Sequence, residues 1–255
     1  MNIISLNTWG GRAGNTVLLD FFDKYKDIVD IFCLQEMWSG LNENINGNKA
    51  GMVFVNTDKI MTEGVSEIAG LLNNHYPYFR PHFMDNYGIL MMVRNTIKVI
   101  EEGEEFVYKH KDHIPGTDAD NHARNIQFVK IERKDDFITV INFHGLWNGN
   151  GKTDTADRLQ QSIKISNFIK RQHNNVILCG DFNLLPNTES IKIIEDSGMR
   201  NLINLYNITS TRTSFYNKPE KYADYILVSS SIKVKDFKVL PDEVSDHSPL
   251  FLDIL

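Results

Sequence analysis

The sequence has little cysteine, no excess of basic residues and no long hydrophobic run, and each shortage narrows the class of protein. Its 255 residues include two cysteines, Cys33 and Cys179, both inside apolar runs. We therefore predict two buried free thiols and no disulfide, and two cysteines do not form a zinc site without histidine ligands. The net charge of −6 argues against a protein that coats nucleic acid with a broad basic face.

The absence of an uninterrupted apolar run of about 18 residues predicts that no segment crosses a membrane. The N-terminus lacks a basic stretch followed by an apolar one, so we expect no signal peptide and a cytoplasmic location. The acidic residues at 101–105 would oppose an anionic membrane surface, and no stable membrane association or protein partner is expected. Since no linker or low-complexity segment is visible, we predict a single domain over residues 1–255.

Short runs rich in β-branched residues predict many strands, with isolated helices between them. Strands are predicted at 3–7, 31–35, 78–83, 89–94, part of 97–108, 126–131, 137–143, 176–179, 222–228, 232–239 and 249–252. Apolar residues spaced three and four apart predict helices at 16–26, 63–73, 153–172 and 188–197, and either Thr153 or Asp154 is expected to cap the third. Segments 37–62 and 110–123 are predicted to be irregular because both contain Gly, Asn and Asp.

Two β–α–β stretches place polar residues where their strands end. Asn7 and Glu36 end the strands of the first stretch, and His144 and Asp181 end those of the second. Because strand ends meet at one rim of a sheet in α/β folds, these side chains are expected to converge. The number of strands favours two packed sheets with helices outside them.

Several of these side chains suit chemistry, although each has an ordinary alternative. Glu36 follows a buried-strand pattern and would be costly there unless it is paired or bound to metal, but it is also compatible with a surface strand end. Asp181 and Asn183 would point the same way if the chain stays extended, and they offer oxygen acceptors and an NH₂ donor. The alternative for Asp181 and Asn183 is a simple turn.

Asp224 interrupts an apolar strand, and an inward carboxylate there needs a cationic or N–H partner. His247 is the expected partner, because an Asp–His pair orients the imidazole and stabilises its charged form. Asp246 and His247 are adjacent and therefore point in different directions on a strand. His144, which follows a strand, is either structural or catalytic.

This inventory of carboxylates, amides and imidazoles favours Mg²⁺ or Mn²⁺ over zinc and fits the attack of water on a phosphate. The sequence has no Gly-x-Ser-x-Gly elbow and no His-Glu-x-x-His. Residues 149–153 (Gly-Asn-Gly-Lys-Thr) are reminiscent of a P-loop, but the spacing fails because Gly145 is one position too early.

Together these pieces resemble the endonuclease/exonuclease/phosphatase superfamily, the DNase I-like fold of DNase I, exonuclease III and the neutral sphingomyelinases. The matching pieces occur in the order of the family at residues 5–9 (Ser-Leu-Asn-Thr-Trp), 34–36 (Leu-Gln-Glu), 142–144 (Asn-Phe-His), 180–183 (Gly-Asp-Phe-Asn), 223–226 (Ala-Asp-Tyr-Ile) and 245–249 (Ser-Asp-His-Ser-Pro). The resemblance implies a four-layer α/β/β/α sandwich of two packed mixed β-sheets. His144 stands where exonuclease III-like enzymes carry Tyr, which favours the DNase I, sphingomyelinase and tyrosyl-DNA phosphodiesterase side.

The resemblance also implies a role for each site residue. Asn7, Glu36 and Asp246 would surround Mg²⁺, and Asp181 and Asn183 would position the attacking water and a phosphate oxygen. His247, oriented by Asp224, would act as general base or bind the phosphate, so the choice of base between Asp181 and His247 stays open. His144 would stabilise or protonate the departing oxygen. Arg124 would contact the phosphate, with a surface charge as its alternative.

The function that these residues favour is a metal-dependent phosphodiesterase, in the first place a nuclease acting on DNA or RNA. The same chemistry on a small-molecule or lipid phosphoester is the alternative, because only the substrate loops would differ. A non-catalytic binding module on this fold is the third hypothesis, and it would be expected to have lost some of the polar positions.

Overall fold

The computed structural model describes residues 1–40, 49–50, 53–54, 57–113, 115–116, 121–133, 136–149 and 151–255. The segment predicted to be irregular at 37–62 lies partly outside these residues, as does part of 110–123. Within the described part of 37–62, the strand predicted at 31–35 continues to Trp38 and two short strands follow. The prediction of an irregular segment is therefore partly wrong.

Strands dominate the fold, as predicted. The strands are β1 (Asn2–Asn7), β2 (Ile31–Trp38), β3 (Lys49–Ala50), β4 (Val53–Phe54), β5 (His75–Phe83), β6 (Tyr87–Arg94), β7 (Val99–Tyr108), β8 (Arg124–Arg133), β9 (Asp136–His144), β10 (Asn175–Asp181), β11 (Met199–Asn201), β12 (Asp224–Ser229), β13 (Val234–Val239) and β14 (Leu250–Ile254). The α-helices are α1 (Asn15–Tyr25), α2 (Gly64–Leu71), α3 (Ala156–Arg171), α4 (Glu189–Glu195) and α5 (Leu202–Leu205). Short 3₁₀ turns occur at Trp9–Gly11 and Thr57–Lys59.

Twelve of these strands form two mixed six-stranded sheets, and β3 pairs with β4 apart from them. The first has the order β13-β14-β1-β2-β6-β5 and the second has the order β11-β12-β10-β9-β8-β7. The β1–β2 and β9–β10 pairs are parallel, and the other neighbours in both sheets are antiparallel. Each parallel pair is one of the predicted β–α–β units, so the carboxyl ends of its strands lie side by side.

The two sheets pack face to face, and alternation along each strand decides which side chains fill which layer. Ile3 and Cys33 point into the core that the two sheets share, whereas Ile4 and Phe32 point outward to α1 and α2. On the far side, α3 and α4 cover the second sheet. The layers therefore run α/β/β/α, which confirms the predicted fold class.

The cap of α3 differs from the predicted one. Thr155, and not Thr153 or Asp154, caps α3 by accepting a hydrogen bond from the backbone N–H of Arg158. Asp154 instead accepts the backbone N–H groups of Glu189 (2.8 Å) and Ser190 (2.9 Å) at the start of α4. One short segment thus anchors the beginnings of two helices.

Buried amides join the two sheets directly below the rim where the predicted site residues lie. Gln35 Nε2 of β2 donates to Asn142 Oδ1 of β9 (2.7 Å), and Asn142 Nδ2 donates back to the carbonyls of Leu34 and Leu90. A buried polar group that loses its hydrogen-bond partner destabilises the fold. This network therefore holds β2 and β9 in one relative position.

Cys33 and Cys179 are both free and buried, as predicted. Burial, with the neighbouring Cys179 thiol as a smaller contribution, raises the pKa of Cys33 well above its usual value. None of the described helices is long and apolar enough to span a lipid bilayer.

Candidate active site

Asp181 lies at the centre of the residues that the strand ends bring together. Its Oδ2 accepts a hydrogen bond from Asn7 Nδ2 of the opposite sheet at 2.9 Å. The Nε2 atoms of His144 and His247 lie 3.7 Å and 3.6 Å from the same oxygen. Because Asp181 pairs in register with His144 of β9 and Asp224 of β12, three strands deliver side chains to one point.

Asn183 reaches the site through a turn, which is the alternative that the sequence offers to an extended chain. Its φ of 53° is left-handed, so the chain after Asp181 turns and the expected extended conformation is wrong. The turn lets the backbone N–H of Asn183 donate to Asp181 Oδ1 (2.8 Å), while Asn183 Nδ2 donates to the carbonyl of Gly145 (3.3 Å). Asn183 therefore orients Asp181 and still lines the pocket.

His247 and Asp224 form the predicted pair. His247 Nδ1 lies 2.8 Å and 3.0 Å from the two carboxylate oxygens of Asp224, and Thr211 Oγ1 donates to Asp224 Oδ2 at 2.9 Å. Since a carboxylate only accepts, we assign the hydrogen to Nδ1, and Nε2 then presents a lone pair to the pocket. Burial, reinforced by Arg212, lowers the pKa of His247 to about 3, so the imidazole is neutral at pH 7.

His144 has the opposite tautomer. Arg124 Nη1 lies 3.1 Å from His144 Nδ1, and a guanidinium only donates, so Nδ1 accepts and Nε2 carries the hydrogen. Burial and the Arg124 charge hold the pKa of His144 well below its usual value. One neutral imidazole therefore offers a donor and the other an acceptor on either side of Asp181 Oδ2.

Arg124 is buried at 2 % exposure, so the alternative of a surface charge is wrong. Its contact with His144 makes it an orienting residue, and its Nε is buried without a hydrogen-bond partner among the described residues. Behind it His82 and His122 stack with ring centroids 5.1 Å apart, and burial lowers the pKa of His82 to about 3. His122 lines the pocket next to Arg124.

Glu36 lies at an irregularity in β2. The pairing of β2 with β6 shifts register between Leu34 and Met37, and Glu36 adopts a left-handed φ of 58°. This bulge directs the carboxylate into the pocket, where Oε1 accepts from Asn7 Nδ2 (3.2 Å). Burial raises the pKa of Glu36, with the Arg12 guanidinium 3.7 Å away opposing the shift.

Glu36 and Asp246 offer the carboxylate oxygens that hard divalent cations prefer. Asp246 Oδ2 contacts Arg212 Nη1 (3.3 Å), but Oδ1 is buried and no described residue donates a hydrogen bond to it. An orphaned carboxylate oxygen with a burial-raised pKa is stabilised by a bound cation, so these residues fit a divalent metal. Asn7 Oδ1 already accepts from the backbone N–H of Trp9 (2.9 Å), and its amide also orients Glu36 and Asp181.

A second group of ligating atoms, from Asp181, Asp224 and His247, lies within 4.8 Å of one another. In this group His247 Nδ1 and the Asp224 oxygens already bond to each other. These three side chains are therefore better suited to proton transfer than to binding a metal ion. Burial raises the pKa of Asp224 to about 6, which leaves the carboxylate ionised at pH 7.

These side chains surround a pocket of about 370 Å³. All of the predicted site residues line it except Asn7 and Asp224, which lie directly behind the lining. The sequence did not identify the further lining residues Arg12, Tyr87, His122, Lys152, Arg212 and Tyr216. Lys152 lies in the segment 149–153, whose spacing does not fit a P-loop. The motif therefore does not predict that Lys152 lines the pocket.

The fold and this arrangement define a class of protein, an α/β/β/α sandwich with carboxylates, amides and imidazoles around a pocket at its strand ends. The model of the Endonuclease/Exonuclease/phosphatase family matches residues 4–247, and the chain belongs to this family. Members of the family are hydrolases that act on phosphoester bonds. The comparison with curated proteins finds no match.

Solved structures share the fold at low sequence identity. An endonuclease/exonuclease/phosphatase family protein from Bacteroides thetaiotaomicron is 18 % identical with a TM-score of 0.75, over 100 % of this chain and 97 % of that one. The mannosyl-6-phosphatase Bt3783 of Bacteroides thetaiotaomicron VPI-5482 is 18 % identical with a TM-score of 0.72, over 100 % and 99 %. Humanized D. rerio TDP2 is 15 % identical with a TM-score of 0.68, over 100 % and 98 %.

Proposed function

We propose that this chain is a Mg²⁺-dependent phosphoesterase in which water attacks phosphorus, with Mn²⁺ able to replace Mg²⁺. The observation that carries the proposal is the pair of opposite tautomers around Asp181. His247 offers a lone pair on one side and His144 offers an N–H on the other, which are the two functions that hydrolysis needs at neutral pH.

The attacking water would lie between His247 and Asp181. His247 Nε2 and Asp181 Oδ2 are both acceptors and lie 3.6 Å apart, so a water that donates to both satisfies them. Either group can take the proton of the water. If His247 takes it, the Asp224 carboxylate stabilises the imidazolium that forms.

His144 would act on the opposite side of the reacting phosphate. Its Nε2–H donates to an oxygen that gains negative charge, and Arg124 holds the ring in this orientation. Asn183 keeps Asp181 in place through its backbone N–H. Arg124 is also the proposed contact for a phosphate oxygen.

Glu36 and Asp246, with Asn7 behind them, are the residues proposed to hold the metal. A bound Mg²⁺ polarises the phosphate and neutralises charge on its oxygens. Oxygen ligands favour Mg²⁺ or Mn²⁺ over Zn²⁺. Zn²⁺ as the sole effective metal would therefore contradict the proposed ligand set.

The pocket supports a small phosphoester, or a phosphate at the end of a longer molecule, as the substrate. A volume of about 370 Å³ is in the range of small-molecule sites. The net charge of −6 gives little support to the broad basic face that a long duplex needs.

Nucleic acid, the substrate that the sequence favours, is the second candidate because of an aromatic pair beside the pocket. Trp9 lines the pocket, and the ring of Phe215 lies 6.2 Å from it and is 45 % exposed. Exposed aromatic rings can stack on bases, so a terminal nucleotide would fit this edge of the pocket.

The test is a set of hydrolysis assays with the purified chain in EDTA and after addition of Mg²⁺, Mn²⁺ or Zn²⁺. The substrates are p-nitrophenyl phosphate, bis-p-nitrophenyl phosphate, a sugar phosphate, a single-stranded DNA, an RNA and plasmid DNA. We expect hydrolysis that needs Mg²⁺ or Mn²⁺, with small or terminal phosphoesters ahead of internal bonds of plasmid DNA. Rapid cutting of plasmid DNA with no small-ester activity would replace the first candidate by the second, and no metal-dependent hydrolysis of any substrate would reject both.

A further inference from the structure

Two cations that the hydrolytic steps do not use face the pocket from the side of Tyr216. The Arg212 guanidinium lies 4.0 Å and Lys152 Nζ lies 5.4 Å from the centre of the Tyr216 ring. Both side chains line the pocket, and Lys218 follows at its rim over the Trp147 ring. Two positive charges that share one ring repel each other unless an anion lies near them.

Lys152 has an environment that is costly for a structural lysine. It is 2 % exposed, and Nζ donates to the backbone carbonyl of Tyr222 at 2.9 Å. No carboxylate of the described residues lies within ion-pair distance of it. Burial, with the Arg212 charge as a further cause, lowers the pKa of Lys152 to about 8. A buried ammonium with only a carbonyl partner has donors left for a ligand.

Arg212 also has unused hydrogen-bonding capacity. Its Nη1 contacts Asp246 Oδ2 at 3.3 Å, while its Nε is buried and has no hydrogen-bond partner among the described residues. The buried Nε of Arg124, which also lines the pocket, likewise has no hydrogen-bond partner among the described residues.

The loop that carries Lys152 is built to hold it in place. The buried Arg158 of α3 donates to the carbonyls of Leu146 (3.2 Å), Gly151 (2.8 Å) and Thr153 (2.6 Å), so one guanidinium fixes both sides of Lys152. The Lys152 carbonyl in turn accepts the backbone N–H of Leu185 (2.9 Å). These hydrogen bonds hold the backbone on both sides of Lys152 and keep its ammonium group in position before a ligand binds.

The cations of the pocket fall into two groups according to the carboxylate on which they act. The positive charges that act on Glu36 come from Arg12 and Arg124. Those that act on Asp224 come from Arg212 and Lys152. Arg124 of the first group is the proposed contact for the reacting phosphate. Arg212 contacts Asp246 (3.3 Å) and Lys152 takes no part in the proposed hydrolytic steps, so both cations can bind another anion.

We propose that Lys152 and Arg212, beside Tyr216, form a second anion subsite that binds an oxyanion of the substrate other than the phosphate being hydrolysed. This inference rests on the proposed function and names its substrate class, a compact phosphoester that carries a second phosphate or carboxylate. The pocket volume leaves room for both groups. Lys152 is then a specificity-determining residue, and the rejected P-loop segment binds an anion by a different geometry.

The subsite can be tested without turnover, because chelation separates it from the hydrolytic side. In EDTA no metal is present to hold phosphate at Glu36 and Asp246, whereas Lys152 and Arg212 remain cationic. Inorganic phosphate is titrated calorimetrically into the full chain in EDTA. We expect one phosphate per chain, with affinity roughly 10- to 100-fold weaker in Lys152→Met and in Arg212→Gln, because each loses a charge-assisted hydrogen bond.

Matched variants make the result specific. Lys164→Met removes one exposed charge from α3 and should bind phosphate as the wild type does. Arg124→Met reports separately on binding at the proposed contact of the reacting phosphate. Circular dichroism checks the fold of each variant, and Lys152→Gln serves if Lys152→Met does not fold. A purely structural Lys152 would lower the melting temperature without changing the phosphate affinity of the folded protein.

No phosphate binding by the wild type in EDTA would overturn the subsite. Binding that survives Lys152→Met and Arg212→Gln, or that is lost only in Arg124→Met, would also overturn it. These outcomes say nothing against hydrolysis, which the metal-dependent assays test separately. Conversely, a chain that binds phosphate through Lys152 but hydrolyses no ester would reject the proposed function and keep the subsite.

Discussion

At the scale of single residues, one neighbour sets the tautomer of each imidazole in the site. Asp224 can only accept, so His247 Nδ1 donates to it; Arg124 can only donate, so His144 Nδ1 accepts from it. The ring nitrogens that face Asp181 are therefore a lone pair and an N–H. The chemistry of the pair depends on these two buried contacts more than on the histidines themselves.

Replacing His247 by alanine should lower kcat by roughly 10²- to 10⁴-fold, the usual contribution of a general base or its orienting group. The melting temperature should also fall, because the buried Asp224 carboxylate loses the His247 N–H that it accepts. Steady-state kinetics with a p-nitrophenyl ester and thermal unfolding measure the two effects. His173→Ala, at an exposed position, is the matched control, and a kcat within threefold of the wild type in His247→Ala would remove His247 from the mechanism.

The Asp224–His247 pairing is predictable from the sequence because a carboxylate inside an apolar strand needs a partner, and few cationic groups follow it in the chain. The contacts of Lys152 and Arg212 are not predictable in this way. Both lie in irregular segments, at Gly151–Thr153 and before β12, where no periodicity says which side a side chain faces. Asn183 is an intermediate case, because the sequence predicts its place in the site but leaves an extended chain and a turn both open, and the structure has the turn.

At the scale of elements, three non-glycine residues with left-handed backbone lie where the chain enters the pocket. Trp9, Glu36 and Asn183 all have left-handed φ values of 53°, 58° and 53°, and all line the pocket. Such conformations cost non-glycine residues roughly 1–2 kcal/mol each. At Glu36 the strained bulge directs the carboxylate into the pocket.

Replacing Glu36 by glycine should raise the free energy of unfolding by about 1 kcal/mol, because it relieves the left-handed strain and removes a partly buried carboxylate. The melting temperature would rise by roughly 2–4 °C for a chain of this size. Activity should be lost in the same variant, since the proposed metal ligand is gone. Thermal unfolding without added metal and a hydrolysis assay with Mg²⁺ measure both.

Asn207→Gly is the control for this prediction, because Asn207 is exposed and has a φ of 52° away from the pocket. It should gain stability without any change in activity. If Glu36→Gly is clearly less stable than the wild type, the carboxylate contributes to the fold and the argument from strain is wrong.

The elements that the sequence missed are short. The strand β11 has three residues and α5 has four, so neither shows enough of a period to be recognised. The longer strands and helices were predicted within a few residues of their ends. The boundary of α3 was misplaced because Thr153, Asp154 and Thr155 are all good caps, and only tertiary contacts assign Asp154 to α4.

At the scale of the whole molecule, the buried histidines link stability to pH. The pKa of His82 is about 3 in the fold, with burial as the main cause and Arg124 next, against an ordinary value near 6.5. Between these values the unfolded chain binds a proton that the folded chain does not, so stability is full above about pH 6.5 and falls as the pH approaches 3. Asp224 acts in the opposite sense, because its raised pKa of about 6 makes the fold bind the extra proton.

Because these effects oppose each other, the prediction concerns a difference between two proteins. His82→Gln removes one titrating group, so between pH 6.5 and 4.5 the wild type should lose roughly 2 kcal/mol more stability than the variant. Urea unfolding at intervals across this range measures the difference. His173→Gln, at an exposed site, should run parallel to the wild type, and a His82→Gln curve that is also parallel would show that His82 titrates normally in the fold.

The layer order and the meeting of the strand ends are predictable at this scale, because sheet geometry follows from strand count and the two β–α–β units. The contacts that join the two sheets are not predictable from the sequence. Gln35 and Asn142 bond across the sheet interface, and their contact depends on the relative placement of β2 and β9, which only the folded chain defines. The shape of the pocket depends on the same placement.

The most direct measurement is Mg²⁺-dependent hydrolysis of bis-p-nitrophenyl phosphate by the wild type, Asp181→Asn and Asp157→Asn. Asp181 joins both imidazoles and Asn7 at one oxygen, whereas Asp157 is exposed at the start of α3, so the two substitutions are chemically identical and differ only in place. We predict that wild type and Asp157→Asn hydrolyse the ester only with metal and that Asp181→Asn is slower by at least roughly 10²-fold. Equal metal-dependent rates for all three proteins would contradict a hydrolytic site centred on Asp181.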